Sequence, residues 1–502
     1  MIAALFLLGA ALRLYDLGGD SLWYDEAASL YQARHSVAPA TLLDPDVAAE
    51  PPVHPLLVRA WMEAVALAGF PATSPWNDFL LRLLPCLIGM AAMPAFYLLA
   101  RRLLRDETAA LFALALFAIS PLPIYYAREL RVYSLYVLLA IFATGFMIRA
   151  LEENRPWQWA GMIGALALLM YSHFFAMWLI FTLNLVFVAV IWRYPHHFWR
   201  WTGWNALLMV LIAPAIHRAF VMHAETQLIE IPWYPSPDWK TPFITFKTFF
   251  AGFSPAVWAY WPLFLIALGL WAAGFRRARE SPIAAAFVAL MTWVPPLGCA
   301  LIWGQASFSF YEHRLFLFSA AAAILGVAWG AATLGRAGLV AIAVLAGLTV
   351  PVLADLYAGR LHPIPMHRLA MWDKVDFRAA ARHLEDAWRP GDRLLYASHF
   401  PAYSMQHYLP RDQVRIGWSL DDQDLFIRTM GHEPILRAHG LMPQPKEAAV
   451  AGASRIWFLV TEGTTFAWRP DTERIAAWLD AHYTREAEVA FDGVRLSCYA
   501  VR

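Results

Sequence analysis

Apolar runs of about twenty residues recur along this chain from its first residues to about Pro351, and no other feature restricts its fold so severely. A helix rising 1.5 Å per residue needs about that length to cross a bilayer core of roughly 30 Å. A water-soluble chain has no use for so many such runs. Composition agrees: 60% of the 502 residues are hydrophobic and 15% charged, against roughly 45–50% and about 25% in soluble domains. The fold class read from the sequence is an α-helical polytopic membrane protein of about eleven spans, followed by a small C-terminal α/β extracytoplasmic domain.

The predicted spans are 1–15, 79–100, 108–124, 131–150, 157–173, 174–192, 202–220, 256–275, 282–303, 314–333 and 338–356. Arginines gather in alternate short loops: Arg101, Arg102 and Arg105; Arg149 and Arg155; Arg193 and Arg200; Arg276, Arg277 and Arg279; and Arg336. By the inside-positive bias these loops are cytoplasmic. The loops 18–77 and 221–255 and everything after Tyr357 then face outward. Residues 1–356 are read as the membrane domain and 357–502 as the extracytoplasmic one. The first run, Met1 to Leu12, covers only about 18 Å as a helix. It has neither the basic start nor the small-residue cleavage site of a signal peptide, so it is read as a span whose beginning lies outside this sequence or was misassigned.

The tail predicts a helix at Val375–Trp388, strands at Arg393–Ser398 and Ser454–Thr461, and a helix at Thr472–His482. A hairpin follows from Ala487 to Val501 around Asp492-Gly493. The net charge of +1 gives no argument for nucleic acid, and three scattered cysteines form neither a disulfide framework nor a metal cluster.

Chemistry concentrates on the outward side. Just beyond the first span stand Trp23-Tyr24-Asp25-Glu26. Two carboxylates there serve either as a base or metal ligand near the membrane surface or as a complement to the dipole of an interfacial helix. Between two spans, residues 125–133 hold Tyr125, Tyr126, Arg128, Glu129, Arg131 and Tyr133. Charges at that depth must be paired or bind something. The guanidinium fork suits a phosphate, while an Arg128–Glu129–Arg131 network that staples two helices is the structural alternative. His54 in Glu50-Pro51-Pro52-Val53-His54-Pro55, His173 in Tyr171-Ser172-His173, and His313 with Arg314 in Tyr311-Glu312-His313-Arg314 lie on the same side.

The ordered set Leu12-Arg13, Trp23-Tyr24-Asp25-Glu26-Ala27, His54-Pro55-Leu56, Leu81-Arg82-Leu83 and Ser120-Pro121…Tyr125…Arg128-Glu129…Arg131…Tyr133-Ser134 resembles the bacterial phospholipid-carrier-dependent glycosyltransferases. These are relatives of the protein O-mannosyltransferases and the lipid A aminoarabinose transferases, within the integral-membrane type C superfamily. The resemblance covers the N-terminal third, with Tyr171-Ser172-His173 and His313-Arg314 beyond it.

It implies inverting transfer of a sugar from a polyprenyl-phosphate carrier to a glycan, lipid or protein acceptor at the outer face of the bacterial inner membrane. Asp25 then corresponds to the catalytic carboxylate, with Glu26 supporting it. Arg128, Arg131 and Arg314 become the donor-phosphate set, and Tyr24, His54, Glu129, Tyr133, His173 and His313 substrate contacts. No cofactor is expected. Members of the superfamily differ over a divalent metal, so His54, His173 and His313 are either metal ligands or hydrogen-bonding groups, and no required metal is assigned. The chain departs from the family where Pro55 continues into Leu56-Leu57-Val58-Arg59 instead of a second proline and tyrosines, and the segment 221–255 matches no family signature. The rival class is a secondary transporter or flippase of lipid-linked sugar. Such proteins show paired repeats and polar groups at mid-membrane, and neither is visible in this sequence.

Overall fold

A computed structural model of the chain describes residues 1–35, 50–70, 77–226, 236–304, 309, 311–360, 375–396, 400–409, 442, 444–461 and 469–501. The apolar runs form helices. In chain order, with the helices between them, they are α1 (Ile2–Leu14), α2 (Tyr24–His35), α3 (Val53–Leu67), α4 (Asn77–Leu104), α5 (Glu107–Ile119), α6 (Pro121–Ala127), α7 (Tyr133–Glu153), α8 (Pro156–Met170), α9 (Ala176–Val190), α10 (Phe198–Thr226), α11 (Thr241–Ala251), α12 (Val257–Gly274), α13 (Pro282–Trp303), α14 (Leu317–Thr333) and α15 (Arg336–Tyr357).

Among the described residues eight helical stretches are long and apolar enough to cross a membrane, or nine if α5 and α6, bent by 53°, make one span. The sequence led us to expect eleven. The remaining two, α1 and α8, have 13 and 15 residues, which at 1.5 Å per residue is about 20 and 22 Å. Both fall short of the bilayer core on their own.

Three local features set the geometry of the bundle. Pro121 has no N–H and pushes Ser120 into an extended conformation (ψ 123°). The helix therefore breaks there, restarts with Pro121 at its first position, and ends at Ala127. The irregular residues 128–132 that follow carry Arg128, Glu129 and Arg131.

The second feature is α14, buried along nearly its whole length. A Cβ at Gly330 would stand 1.7 Å from the Leu270 carbonyl oxygen of α12, so only glycine lets these two helices approach so closely. The third is the corner between α4 and α5. Asp16, Arg105 and Asn154 are the non-glycine residues of positive φ among those described, Arg105 at +53°. Asp and Asn tolerate the left-handed region, but for other side chains it costs on the order of 1 kcal/mol. The Arg105–Glu152 pair (2.7 Å), with the arginine 61% exposed, contributes about 0–1 kcal/mol.

The segment 221–255 departs from the outer loop expected of it. Helix α10 continues to Thr226. Helix α11 packs inside the bundle with Thr241, Thr245, Phe246, Thr248 and Phe249 buried. The buried hydroxyls are satisfied: Thr245 donates to the Thr241 carbonyl (2.9 Å) and Thr248 to that of Ile244 (2.8 Å). Eleven residues with three threonines carry too weak an apolar signal to be found from composition. Trp239 in this segment is exposed, and Trp233 and Tyr234 lie outside the described residues.

After α15 come α16 (Phe377–Ala387), β1 (Asp392–Tyr396), α17 (Phe400–Tyr408), β2 (Arg455–Thr461), α18 (Arg469–His482), β3 (Thr484–Phe491) and β4 (Val494–Ala500). The sheet order is β1-β2-β4-β3, with β1 and β2 parallel and the other pairs antiparallel. The predicted hairpin is β3–β4, turning at Asp492-Gly493 with Gly493 at φ +67°. Leu394, Tyr396, Trp457 and Leu459 on this sheet share one apolar cluster with Ala402, Tyr403 and Met405 of α17. Ala27 of α2 belongs to that cluster too, so the sheet and α2 pack as one body.

Candidate active site

Helix α2 begins at Tyr24, which puts Asp25 and Glu26 in its first turn, where carboxylates complement the helix dipole. The two then diverge. Glu26 is fully buried. Arg82 of α4 grips both its oxygens, Nε to Oε1 at 2.7 Å and Nη2 to Oε2 at 2.6 Å. Leu130 N–H donates to Oε1 (2.8 Å) and Trp23 N–H to Oε2 (3.3 Å). The last bond is one half of a capping box. Arg82 also donates to the carbonyls of Asp20 (2.7 Å) and Ser21 (2.9 Å). The pair thus ties the start of α2, the loop before it and the 128–132 turn to α4. Both of its oxygens are engaged within the protein.

Asp25 faces the other way, its side chain 17% exposed. Arg314 Nη1 donates to Oδ2 at 2.9 Å, and Arg131 Nη2 lies 3.8 Å from the same oxygen. Arg131 further donates to the Asp25 carbonyl (3.2 Å), to Ser29 Oγ (2.6 Å) and to Glu50 Oε1. Arg314 is paired in turn with the buried Glu312, Nε to Oε2 at 2.5 Å. Tyr133 lies under both guanidinium groups, 6.0 Å from Arg131 and 5.6 Å from Arg314 to the ring centroid.

Glu50 is the residue that sequence reasoning undervalued. Besides Arg131 it accepts from Ser29 Oγ (2.6 Å) and sits 3.3 Å from His54 Nδ1. Its carbonyl accepts from Arg218 Nη2 (3.1 Å) and Gln32 Nε2 (3.1 Å). Burial raises its carboxyl, but Arg131 and His54 more than reverse this and hold it down to about 2. Arg218, buried in α10, had no signal beyond being an arginine inside an apolar run.

The other expected site residues divide. His54 joins the cluster through Glu50. His173 borders it, 6.0 Å from Tyr133 between ring centroids; its Nδ1 accepts from Phe175 N–H (3.1 Å), which leaves the proton of the neutral ring on Nε2. His313 is fully buried and lies 3.2 Å from Thr245 Oγ1. Glu129 is buried beside Tyr125. Tyr24 packs edge-on against Tyr403 of α17, and burial, with Asp25 next to it, pushes its phenol up.

Arg128 turns away from this group. Its Nη2 donates to the Asp16 carbonyl (3.1 Å) and its guanidinium lies over the Tyr357 ring at 4.8 Å. The sequence grouped it with Arg131 and Arg314, but the turn at 128–132 sends successive arginines to different neighbours. Among the described residues no three His, Cys, Asp or Glu side chains converge as a metal-ligand set.

Residues 50–217 match the family described as dolichyl-phosphate-mannose-protein mannosyltransferase. The solved structure of ArnT from Cupriavidus metallidurans in the apo state aligns over 99% of this chain and 97% of its own, with 14% identity and a TM-score of 0.58. The Archaeoglobus fulgidus oligosaccharyltransferase, solved with zinc and sulfate, aligns over 99% of this chain and 72% of its own, with 14% identity and a TM-score of 0.52. The same archaeal enzyme, AglB, in complex with an inhibitory peptide and a dolichol-phosphate aligns over 100% and 74%, with 12% identity and a TM-score of 0.52. No curated protein sequence matches the chain. At these identities the solved structures speak for the fold, and the family match speaks for residues 50–217. Residues 50–217 are thus similar to the dolichyl-phosphate-mannose-protein mannosyltransferase family, and the whole chain shares the fold of ArnT.

Proposed function

We propose that the protein transfers a sugar, with inversion, from a polyprenyl-phosphate carrier to an acceptor hydroxyl at the outer face of the bacterial inner membrane. Residues 1–356 are the catalytic membrane domain and 357–502 a domain on the periplasmic side. The observation that carries this reading is the Asp25 carboxylate, partly open and flanked by Arg314 and Arg131.

In the reaction the acceptor oxygen attacks the anomeric carbon as its proton passes to Asp25. The bond from that carbon to the phosphate oxygen breaks on the opposite side, and the lipid phosphate leaves with one more negative charge. Arg131 and Arg314 stabilise that charge where it develops. Both are engaged with carboxylates at rest, so donor binding redistributes their bonds from Asp25 to the phosphate. That exchange releases the base when the donor arrives. Glu26, closed off by Arg82, is a positioning residue. Arg128 supports the turn beneath Arg131, and His54 acts through Glu50. Tyr133 shields the cation pair; His173 and Glu129 border the pocket, His313 packs behind Arg314, and Tyr24 ties α2 to the tail.

The test is transfer by purified protein from a panel of polyprenyl-phosphate sugars to membrane acceptors, with Asp25→Asn beside the parent. Loss of transfer with donor binding retained is the expected result. Equal rates for the two proteins would remove Asp25 as the base.

A further inference from the structure

Helix α4 carries Arg82 of the site at one end and Arg101 and Arg102 at the other, about 30 Å away along the helix axis. At that far end the structure has a cavity of about 730 Å³, open to the surface, between the ends of α4, α7 and the turn after α9. Arg101, Arg102, Arg105, Arg193 and His196 line it, with Glu152 the acid among its lining residues.

The carboxylates nearby are already taken. Arg101 pairs with Glu107 (3.2 Å), Arg102 with Glu152 (2.8 Å) and Glu153, and Arg105 with Glu152 (2.7 Å). Arg193 has no carboxylate partner among the described residues, so the cavity keeps a cationic excess. The second observation is independent of charge. Arg105 holds its place in a left-handed backbone conformation that glycine would adopt without strain, and its exposed ion pair does not account for that choice. Third, Trp192 and Trp199, on either side of the Arg193–His196 turn, are largely exposed, as anchors at a lipid interface are.

We propose that this cavity binds the phosphate headgroup of an anionic phospholipid in the leaflet opposite the Asp25 cluster, with Arg105 and Arg193 as its principal contacts. Basic pockets between span ends at a membrane surface suit such headgroups. The volume lies within the range of small-molecule sites, roughly 300–1,000 Å³.

The experiment uses the full chain, reconstituted in mixed phosphatidylglycerol–phosphatidylcholine nanodiscs and extracted into mild detergent. The ratio of the two lipids that stay with the protein is then measured. The parent should retain phosphatidylglycerol several-fold above the input ratio. Arg105→Gly combined with Arg193→Gln should bring the ratio back to input, while the melting temperature holds because glycine relieves the strain at position 105. Enrichment unchanged in the double variant, or no enrichment in the parent, would overturn the proposal. Displacement of the retained lipid by millimolar inorganic phosphate would assign the pocket to a soluble anion and equally overturn it.

Discussion

Arg314 and Asp25, separated by 289 positions in sequence, meet at 2.9 Å, and the same arginine is held from its other side by Glu312. The contact joins the first turn of α2 to the start of α14, which is buried along nearly its whole length. It also places a guanidinium where the leaving phosphate of the proposed reaction develops charge. Replacing Arg314 by Gln should cost transfer rate on the order of 10²–10³-fold, the size expected for losing one aimed donor. Donor affinity measured separately should fall with it. Unchanged donor binding in a folded Arg314→Gln protein would move the phosphate elsewhere.

Asp25→Asn removes the proposed base and keeps the side chain's size. A positioned base contributes about 10²–10⁴ in rate, so turnover should fall by that range with insertion and melting temperature held. Asp25→Glu should restore part of it.

Glu26 and Arg82 predict the opposite pattern. Each is almost fully buried, at 0% and 1% side-chain exposure. Removing one partner of such a pair costs about 3–5 kcal/mol, because the other charge is left uncompensated. Glu26→Gln should therefore lower the melting temperature and yield in detergent before any kinetic effect is read. Glu26→Leu combined with Arg82→Met should be milder than the sum of the single changes, which a double-mutant cycle measures.

Asp78 clamps the tail onto the start of α4. It accepts from Arg378 Nε (3.0 Å) and the Tyr408 hydroxyl (2.8 Å) and lies 3.0 Å from His407 Nε2. Tyr408 Oη in turn accepts from Leu22 N–H at 2.6 Å, three residues before Asp25. Tyr408→Phe removes a hydroxyl that bridges the tail and the segment leading into α2. We expect about 1 kcal/mol of lost stability and a fall in kcat with KM little changed. A rise in KM alone would point to a binding role for the tail instead.

The pH dependence follows from Glu50, whose folded carboxyl is held down to about 2 against an ordinary value near 4.5. A depressed carboxyl stabilises the fold above its unfolded pKa, and that contribution is lost as pH falls from about 4.5 towards 2. In Glu50→Gln the melting temperature should depend less on pH across that window than in the parent. Identical slopes would mean that the Arg131–Glu50 pair is not formed in solution.

Some of the site could be read from residues alone, and the reason is local. Asp25 stands beside Trp23 and Tyr24 just past an apolar run, and Arg131 sits in a dense polar cluster where charge is disfavoured, so both announce themselves. Glu50 was visible only as the head of a histidine-proline element, since nothing within a few residues shows that Arg131 and Arg218 reach it. Arg128 and Arg131 look equivalent three positions apart, but an irregular turn after a proline-started helix has no period to say which way each points. Helix α11 was hidden because its buried threonines satisfy their hydroxyls within the helix, a property that composition does not register.

The sequence by itself determined that this is a polytopic helical membrane protein with a small α/β tail and its chemistry gathered at one set of span ends. Run length, hydropathy and loop charge are properties of contiguous residues, and the bilayer imposes its thickness on each run separately. Only the tertiary structure decided that Glu26 is locked to Arg82 while its neighbour Asp25 faces Arg131 and Arg314, and that the tail bears on the start of α4 through Asp78. Those pairings join segments tens to hundreds of residues apart, and they exist because burial leaves each charge no partner but the one that packing brings to it.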